Sequence, residues 1–370
     1  MTLGLAPARS GPAAPPPPRH RRLLLTLLAV LVVLALLVAL SVGRALTAPG
    51  TDSTAARLAE WGRGHGLSRV VDEAERLTYR APATGGLPGA GSPLRTPPGA
   101  APAQVLPRVR PFPPVPLPDE GVWRVRETVH GHPALQETFL RPDAVHPSYT
   151  AGLVWMDPAL LTFVLHPGTQ EPGGSGWSTP TSLGPDRTGL VAAFNGGFRL
   201  DAARGGFYED GRTQGTLRDG AASLVIDTRG AAQVGRWGRD VRMGPDVRAV
   251  RQNLDLLVDG GVVVAGLDDN TGGRWGRTLG NRAYVFRSGI GQTASGALVY
   301  AVGNGLSAAT LAGLLARAGA IRAMELDINP EWTSFVHYPA ETDLLPDMQP
   351  SPHRYDTASS RDFVAVLRRP

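Results

Sequence analysis

The stretch Ser307–Pro330, SAATLAGLLARAGAIRAMELDINP, decides how the C-terminal half of this 370-residue chain folds. Ser307 is an N-cap residue, Ala308 to Ala318 are apolar around most of a helical circumference, and Gly319 supplies the stop. A helix with so little polar surface must lie against a sheet. It delivers IRAMELDI, which predicts a strand. Side chains alternate on a strand, so Glu325 and Asp327 share a face with Ala323, while Met324, Leu326 and Ile328 take the other. Adjacent carboxylates repel, and unless a guanidinium or a metal compensates, one pKa rises, which is how a general acid and a general base are set apart. Salt bridges to arginine at a domain edge are the plain structural alternative.

Around this unit, strand and turn signals crowd together from residue 119 onward. Val122 to Val129 alternates and Ala134 to Leu140 faces it across HGHP. GLVWM and LLTFVLH flank a turn at Asp157-Pro158, SLVID and AAQVGRW flank Thr228-Arg229-Gly230, and LDLLV and VVVAG flank Asp259-Gly260-Gly261. These are hairpin signatures. A final strand is expected at Phe363 to Leu367. Many strands with one confident helix predict an α+β domain, a strand-rich mixed sheet with a few packed helices.

Two further segments carry chemistry. Asn195-Gly196-Gly197-Phe198 follows the apolar strand LVAAF, and two glycines there permit close backbone approach, positive φ and N–H groups free to bind an anion. An Asn-Gly hairpin turn is the simpler reading. In FRSGIGQT, Arg287 stands just past a short apolar strand, and a guanidinium fork suits phosphate. His130 and His132 lack a third metal ligand at a recognisable spacing. Asp268-Asp269-Asn270 lacks the rest of a calcium loop and reads as a polar turn. No Gly-x-Ser-x-Gly elbow is present. No cofactor is expected, and a divalent cation is left open.

The N-terminal third is organised differently. Leu23 to Val42 contains no charge and only Thr26 and Ser41 as polar interruptions, enough for a transmembrane helix. Arg9, Arg19, Arg21 and Arg22 precede it and Arg44 stands alone after it, which predicts a cytoplasmic N-terminus and an extracellular C-terminal domain. A cleaved signal peptide ending near Ala45 to Ala48 is the alternative, but the apolar run is long for one. Residues 1–22 read as a disordered tail. Residues 51–80 carry two amphipathic patterns capped at Ser53 or Thr54 and at Ser68, a small helical hairpin. Residues 81–118 are dominated by Pro, Gly and Ala and read as an extended spacer, leaving 119–370 as the main domain.

Composition excludes some classes. With no cysteine there are neither disulfides nor thiolate metal sites. The formal charge of +5 hints at nucleic acid, yet acids interleave with the arginines throughout and no basic, aromatic-lined stripe exists. No nucleic-acid partner is expected.

Taken in order, NGGF, RSGIG and GLSAATLAGLLARAGAIRAMELD resemble the phosphodiester glycosidase family over roughly residues 120 to 370. With its anchor, hairpin and Pro-rich segment, the layout resembles an actinobacterial membrane-anchored subgroup. In that family an Asn-Gly-Gly-Phe turn is followed by an Arg-Thr-Ala-like segment and a strand ending Asn-Leu-Asp-Gly-Gly-Gly-Ser. The resemblance implies that Asn195, Gly196, Gly197, Phe198, Ser288 and Asn329 bind substrate, with Gly291 matching the second motif. It implies catalytic roles for Asp327, for Glu325 at the family's Asn position, and for Arg287 on the phosphate. Ile328-Asn329-Pro330-Glu331 replaces the family's glycines. The activity implied is hydrolysis of a sugar-1-phosphodiester in envelope glycan metabolism. The alternative is a non-catalytic envelope protein that binds phosphate-containing glycan polymers.

Overall fold

The computed structural model describes residues 19–95, 106–278 and 282–370, and the chain forms two compact units, Met1–Ala48 and Pro49–Pro370. In the first, helix α1 (Arg19–Leu46) includes Leu23–Leu46, 24 residues long and apolar enough to cross a membrane. At about 1.5 Å per residue this segment exceeds the roughly 30 Å hydrocarbon layer. The expected tail lies almost wholly outside the described residues.

The second unit opens with α2 (Thr54–Gly64) and α3 (Ser68–Thr78). Ser53 Oγ caps α2 by accepting from the Ala56 N–H. Strands follow as β1 (Arg124–Val129), β2 (His132–Leu140), β3 (Ala151–Met156), β4 (Leu161–His166) and β5 (Leu190–Asn195). After the one-turn α4 (Leu200–Ala203) come β6 (Phe207–Glu209), β7 (Arg212–Gln214), β8 (Ala222–Asp227), β9 (Ala232–Arg236), β10 (Val247–Gln252), β11 (Leu256–Asp259) and β12 (Val262–Val263). The last group is β13 (Val285–Thr293), β14 (Leu298–Leu306), α5 (Ala308–Arg317), β15 (Ala320–Glu325), β16 (Phe335–His337), β17 (Thr342–Asp343) and β18 (Phe363–Arg368). The expected α+β, strand-rich class is what the chain adopts.

The strands build an eight-stranded sheet, β1-β2-β3-β14-β13-β15-β11-β12, and two five-stranded sheets, β7-β6-β10-β8-β9 and β17-β16-β5-β18-β4. Every ladder is antiparallel. Helix α5 covers one face of the large sheet, burying Leu311, Leu314 and Leu315 against Val299, Ala301 and Ala323. Each such leucine contributes about 1.5–3 kcal/mol. Leu298, Tyr300, Val302 and Met324 face the other way, into a core shared with Phe194, Val364 and Ile226 of the smaller sheets. The middle of the large sheet is thus buried on both sides, which explains its continuous apolar runs.

Three local readings change. GLVWM and LLTFVLH do not form a hairpin: β3 pairs with β2 and β14, whereas β4 pairs with β18. The chain switches sheets at Asp157-Pro158. The described parts of the Pro-rich segment are not a free spacer. Val109 and Leu94 are buried, the Trp123 indole donates to the Pro107 carbonyl at 3.1 Å, and Arg317 stacks 4.0 Å from the Phe112 ring. This segment lacks a core of its own but borrows the domain's. The helical hairpin likewise belongs to the same compact unit as the sheets.

Candidate active site

The three motifs meet where the large sheet approaches the sheet that contains β5 and β18. β13 and β15 pair with Gly289 opposite Glu325. One step further the Leu326 N–H donates to the Ser288 carbonyl and the Ser288 N–H donates to the Asp327 carbonyl, both at 2.8 Å. Two residues of one strand therefore face one of the other, the hydrogen-bond pattern of a β-bulge. The extra residue breaks the alternation, so Glu325 and Asp327 acquire different neighbours.

Glu325 is sealed in an ion pair with Arg287; the two are 0% and 2% exposed at their side chains. The remaining Arg287 donors reach the carbonyls of Leu306 at 2.9 Å, Trp275 at 3.2 Å and Ala283 at 3.1 Å. A guanidinium so engaged is not placed to hold a substrate phosphate. Arg287 and Glu325, both expected in catalysis, form a buried ion pair here. Burial pushes the Glu325 carboxyl up and the Arg287 charge pulls it back.

Asp327 instead lines a narrow cleft with Asn195, Gly196, Gly197, Trp332, Arg354, Arg361 and Asp362. Its Oδ1 accepts from the N–H groups of Ile328 at 2.7 Å and Asn329 at 2.9 Å. Burial raises its pKa to about 6; Arg361 and these N–H groups lower it, and Asp362 adds to the rise. The lining groups close together so tightly that the cleft leaves no room for a water molecule.

The glycines of NGGF are needed here for close approach. A Cβ on Gly196 would stand 2.0 Å from Asp362 Oδ2, and one on Gly197 would stand 2.9 Å from Arg251 Cζ. Neither adopts positive φ. Their N–H groups are not open to an anion either: Gly196 donates to the Asp362 carbonyl at 2.9 Å and Gly197 to Asp362 Oδ2 at 3.4 Å. Asp362 in turn is held by Arg251 Nε at 2.8 Å, both side chains buried. The turn's own anion is Asp362.

Asn195 is a tie between sheets. Its Nδ2 donates to Ser288 Oγ at 3.0 Å, and its Oδ1 accepts from Tyr300 Oη at 2.9 Å and from the Ser334 N–H at 3.1 Å. Ser288 Oγ also accepts from the Asp327 N–H at 3.1 Å, and this fixes the bulge. Phe198 packs with Ala203, Leu254 and Ile328. Asn329 Oδ1 caps the turn at the Glu331 N–H at 2.9 Å. Of the nine expected site residues, Asn195, Gly196, Gly197 and Asp327 line the cleft, and the other five support it.

The residues that sequence reasoning missed come from elsewhere. Arg361 and Asp362 precede β18, and the pairing of Phe363 with Asn195 sets them beside NGGF. The signal was present: two opposite charges at the mouth of an apolar strand. Arg354 and Trp332 lie in irregular segments without periodicity. Glu60 of α2 accepts from Arg361 Nη2 at 2.8 Å and from Arg199 Nη1, and nothing in its sequence context marked it. Burial raises the Glu60 carboxyl, but Arg361 and Arg199 outweigh burial and hold it below the ordinary range.

As for metals, His130 and His132 belong to an exposed turn, and Asp269 caps Thr271 within its own turn. Among the described residues the one clustered ligand set is Glu341, His353 and Asp356. There Arg187 already supplies the cation, pairing with both carboxylates.

Residues 188–327 match the model of the phosphodiester glycosidase family. The resemblance read from the three motifs therefore holds over this segment, which ends at Asp327. No curated protein matches the chain. Among solved structures it is similar to the zebrafish N-acetylglucosamine-1-phosphodiester alpha-N-acetylglucosaminidase catalytic domain auto-inhibited by pro-peptide. That match is 14% identical, covers 67% of this chain and 88% of that one, and has a TM-score of 0.43. A hypothetical protein from Synechocystis is also similar, at 14% identity over 66% of this chain and 64% of that one, with a TM-score of 0.36.

Proposed function

We propose that this protein is a membrane-anchored hydrolase that cleaves a sugar-1-phosphodiester, with its C-terminal domain on the extracellular side. The observation that carries the reading is Asp327, a buried carboxyl with its pKa raised to about 6, facing Arg361 in a cleft beside NGGF. Near neutral pH such a group is ionised yet basic enough to take a proton from water. In the reaction the C1–O bond of the sugar breaks and its electron pair leaves on the phosphate oxygen. Water supplies the hydroxyl at C1, and its proton passes to Asp327 and then to solvent. A phosphodiester needs little protonation to leave, so the charge of Arg361 beside the departing oxygen contributes more than an acid would. Arg361 takes the phosphate role first expected of Arg287.

The arginine excess ahead of the apolar segment supports an N-terminus in the cytoplasm and a glycan substrate in the envelope. A second reading, a binding protein for phosphate-containing glycan polymers, is favoured by Ile328-Asn329-Pro330-Glu331. These residues fill space that glycines occupy in the family.

Full-length protein in detergent, assayed on the methyl phosphodiester of N-acetylglucosamine 1-phosphate, separates the two. The hydrolase reading expects release of free sugar and a loss of about 100-fold or more in kcat for Asp327→Asn. Binding without release in the wild type would leave the second reading standing.

A further inference from the structure

The guanidiniums of the cleft are occupied by carboxylates of this chain that come from the helical hairpin. Glu60 joins Arg361 and Arg199 on one side. Asp52, just ahead of α2, stands 3.7 Å from Arg354 on the other. Trp332 lies between the two sides, its ring centroid 4.8 Å from the Arg361 guanidinium and 5.4 Å from that of Arg354.

These arginines have more donors than the hairpin satisfies. Arg361 is 7% exposed and Arg354 4%, yet Arg361 Nε and Nη1 and Arg354 Nε make no hydrogen bond among the described residues. Buried donors are almost always paired, so three unpaired ones lining one cleft call for a ligand with more acceptor oxygens than a carboxylate has. Phosphate, with three or four oxygens, meets that need.

The hairpin is built to leave. In α2 only Ala56, Glu60 and Gly62 are buried, and no described side chain of α3 is. Polar ties such as Ser53 Oγ to Glu331 at 2.8 Å hold it down. A segment with so little buried apolar surface opens at low cost. With the hairpin seated, Glu60 and Asp52 hold the Arg361 and Arg354 guanidiniums, and the cleft that these arginines line has no room for a ligand.

We propose that Arg361 with Arg199 on one side of Trp332, and Arg354 on the other, form a two-anion site. Its ligand is a glycan that carries a phosphate on each side of one sugar ring. Glu60 and Asp52 hold the two anion positions when that ligand is absent. The inference rests on reading the cleft as a glycan-phosphate site, but it concerns recognition and needs no turnover.

Calorimetric titration of the full-length protein in detergent with glucose 1,6-bisphosphate, glucose 1-phosphate and glucose 6-phosphate tests it. The bisphosphate is expected to bind at least about tenfold more tightly than either monophosphate. Glu60→Gln, which removes the competing charge but keeps the shape, is expected to tighten the bisphosphate by about fivefold or more. Arg354→Gln is expected to reduce the bisphosphate to the affinity of a monophosphate. Equal affinities for all three sugars in the wild type, or a Glu60→Gln variant that binds no better, would overturn the proposal. Tight bisphosphate binding without hydrolysis of the methyl phosphodiester would keep this site and remove the catalytic reading. Hydrolysis without a bisphosphate preference would do the reverse.

Discussion

Asp327 and Glu325 are two residues apart, yet they have separate fates because one bulge residue lies between them. For Asp327 the consequence is a pH-dependent cost. Its folded pKa, about 6, lies above its ordinary value of 3.8, so between those values the folded state holds more protons than the unfolded state. Stability from this group therefore falls as pH rises from about 4 to 6, by about 3 kcal/mol in total. Urea midpoints at pH 4.5 and 7 should show this decline in the wild type and a flatter dependence in Asp327→Asn. Catalysis has the opposite sign: kcat/KM should climb through pH 6 to a plateau as Asp327 ionises, and a flat profile there would remove it as the base. For Arg287 the prediction is structural. Arg287→Met strands Glu325 without a partner and should cost about 3–5 kcal/mol by chemical denaturation, most of it recovered in the Arg287→Met/Glu325→Leu double variant.

At the scale of elements, α5 and the hairpin are opposites. Helix α5 is fastened by Leu311, Leu314 and Leu315 in the core and capped by Ser307, whose Oγ accepts from the Thr310 N–H at 3.0 Å. Ser307→Ala should lower stability by about 1 kcal/mol with the site unaltered. The hairpin rests on charge, with Glu60, Asp52 and Ser53 as its fastenings. Glu60→Gln should quicken hydrogen exchange in α2 and α3 and leave α5 unchanged, because it removes the buried charge that pairs with Arg361 and Arg199 and spares apolar packing. Equal protection of the hairpin in wild type and variant would mean that its hold is apolar.

For the whole molecule, the two units differ in kind. Leu23–Leu46 is a single helix, apolar along its length and long enough to cross a membrane, whereas Pro49–Pro370 buries its own core. A chain beginning at Pro49 should stay in solution after membranes are pelleted, and the full chain should pellet with them and resist a carbonate wash. Loss of the full chain to the wash would argue against a spanning segment.

Much was legible from the sequence because its causes are local. Leu23 to Val42 announced a helix long and apolar enough to span a membrane, and Ser307, the apolar run and Gly319 announced α5. The order of NGGF, RSGIG and ELD announced the likeness to the phosphodiester glycosidase family, whose model matches residues 188–327. The alternation that put Glu325 and Asp327 on one face assumed a regular strand, and only the partner strand, through Ser288, decided where the bulge fell. Asp157-Pro158 has the composition of a hairpin turn but carries the chain from one sheet to another, a choice made by which strand edges are free. The charged partners of the cleft were out of reach, since Glu60 and Arg361 are brought together by chain closure over hundreds of residues. Their charges are paired by burial and low dielectric, which no spacing rule encodes.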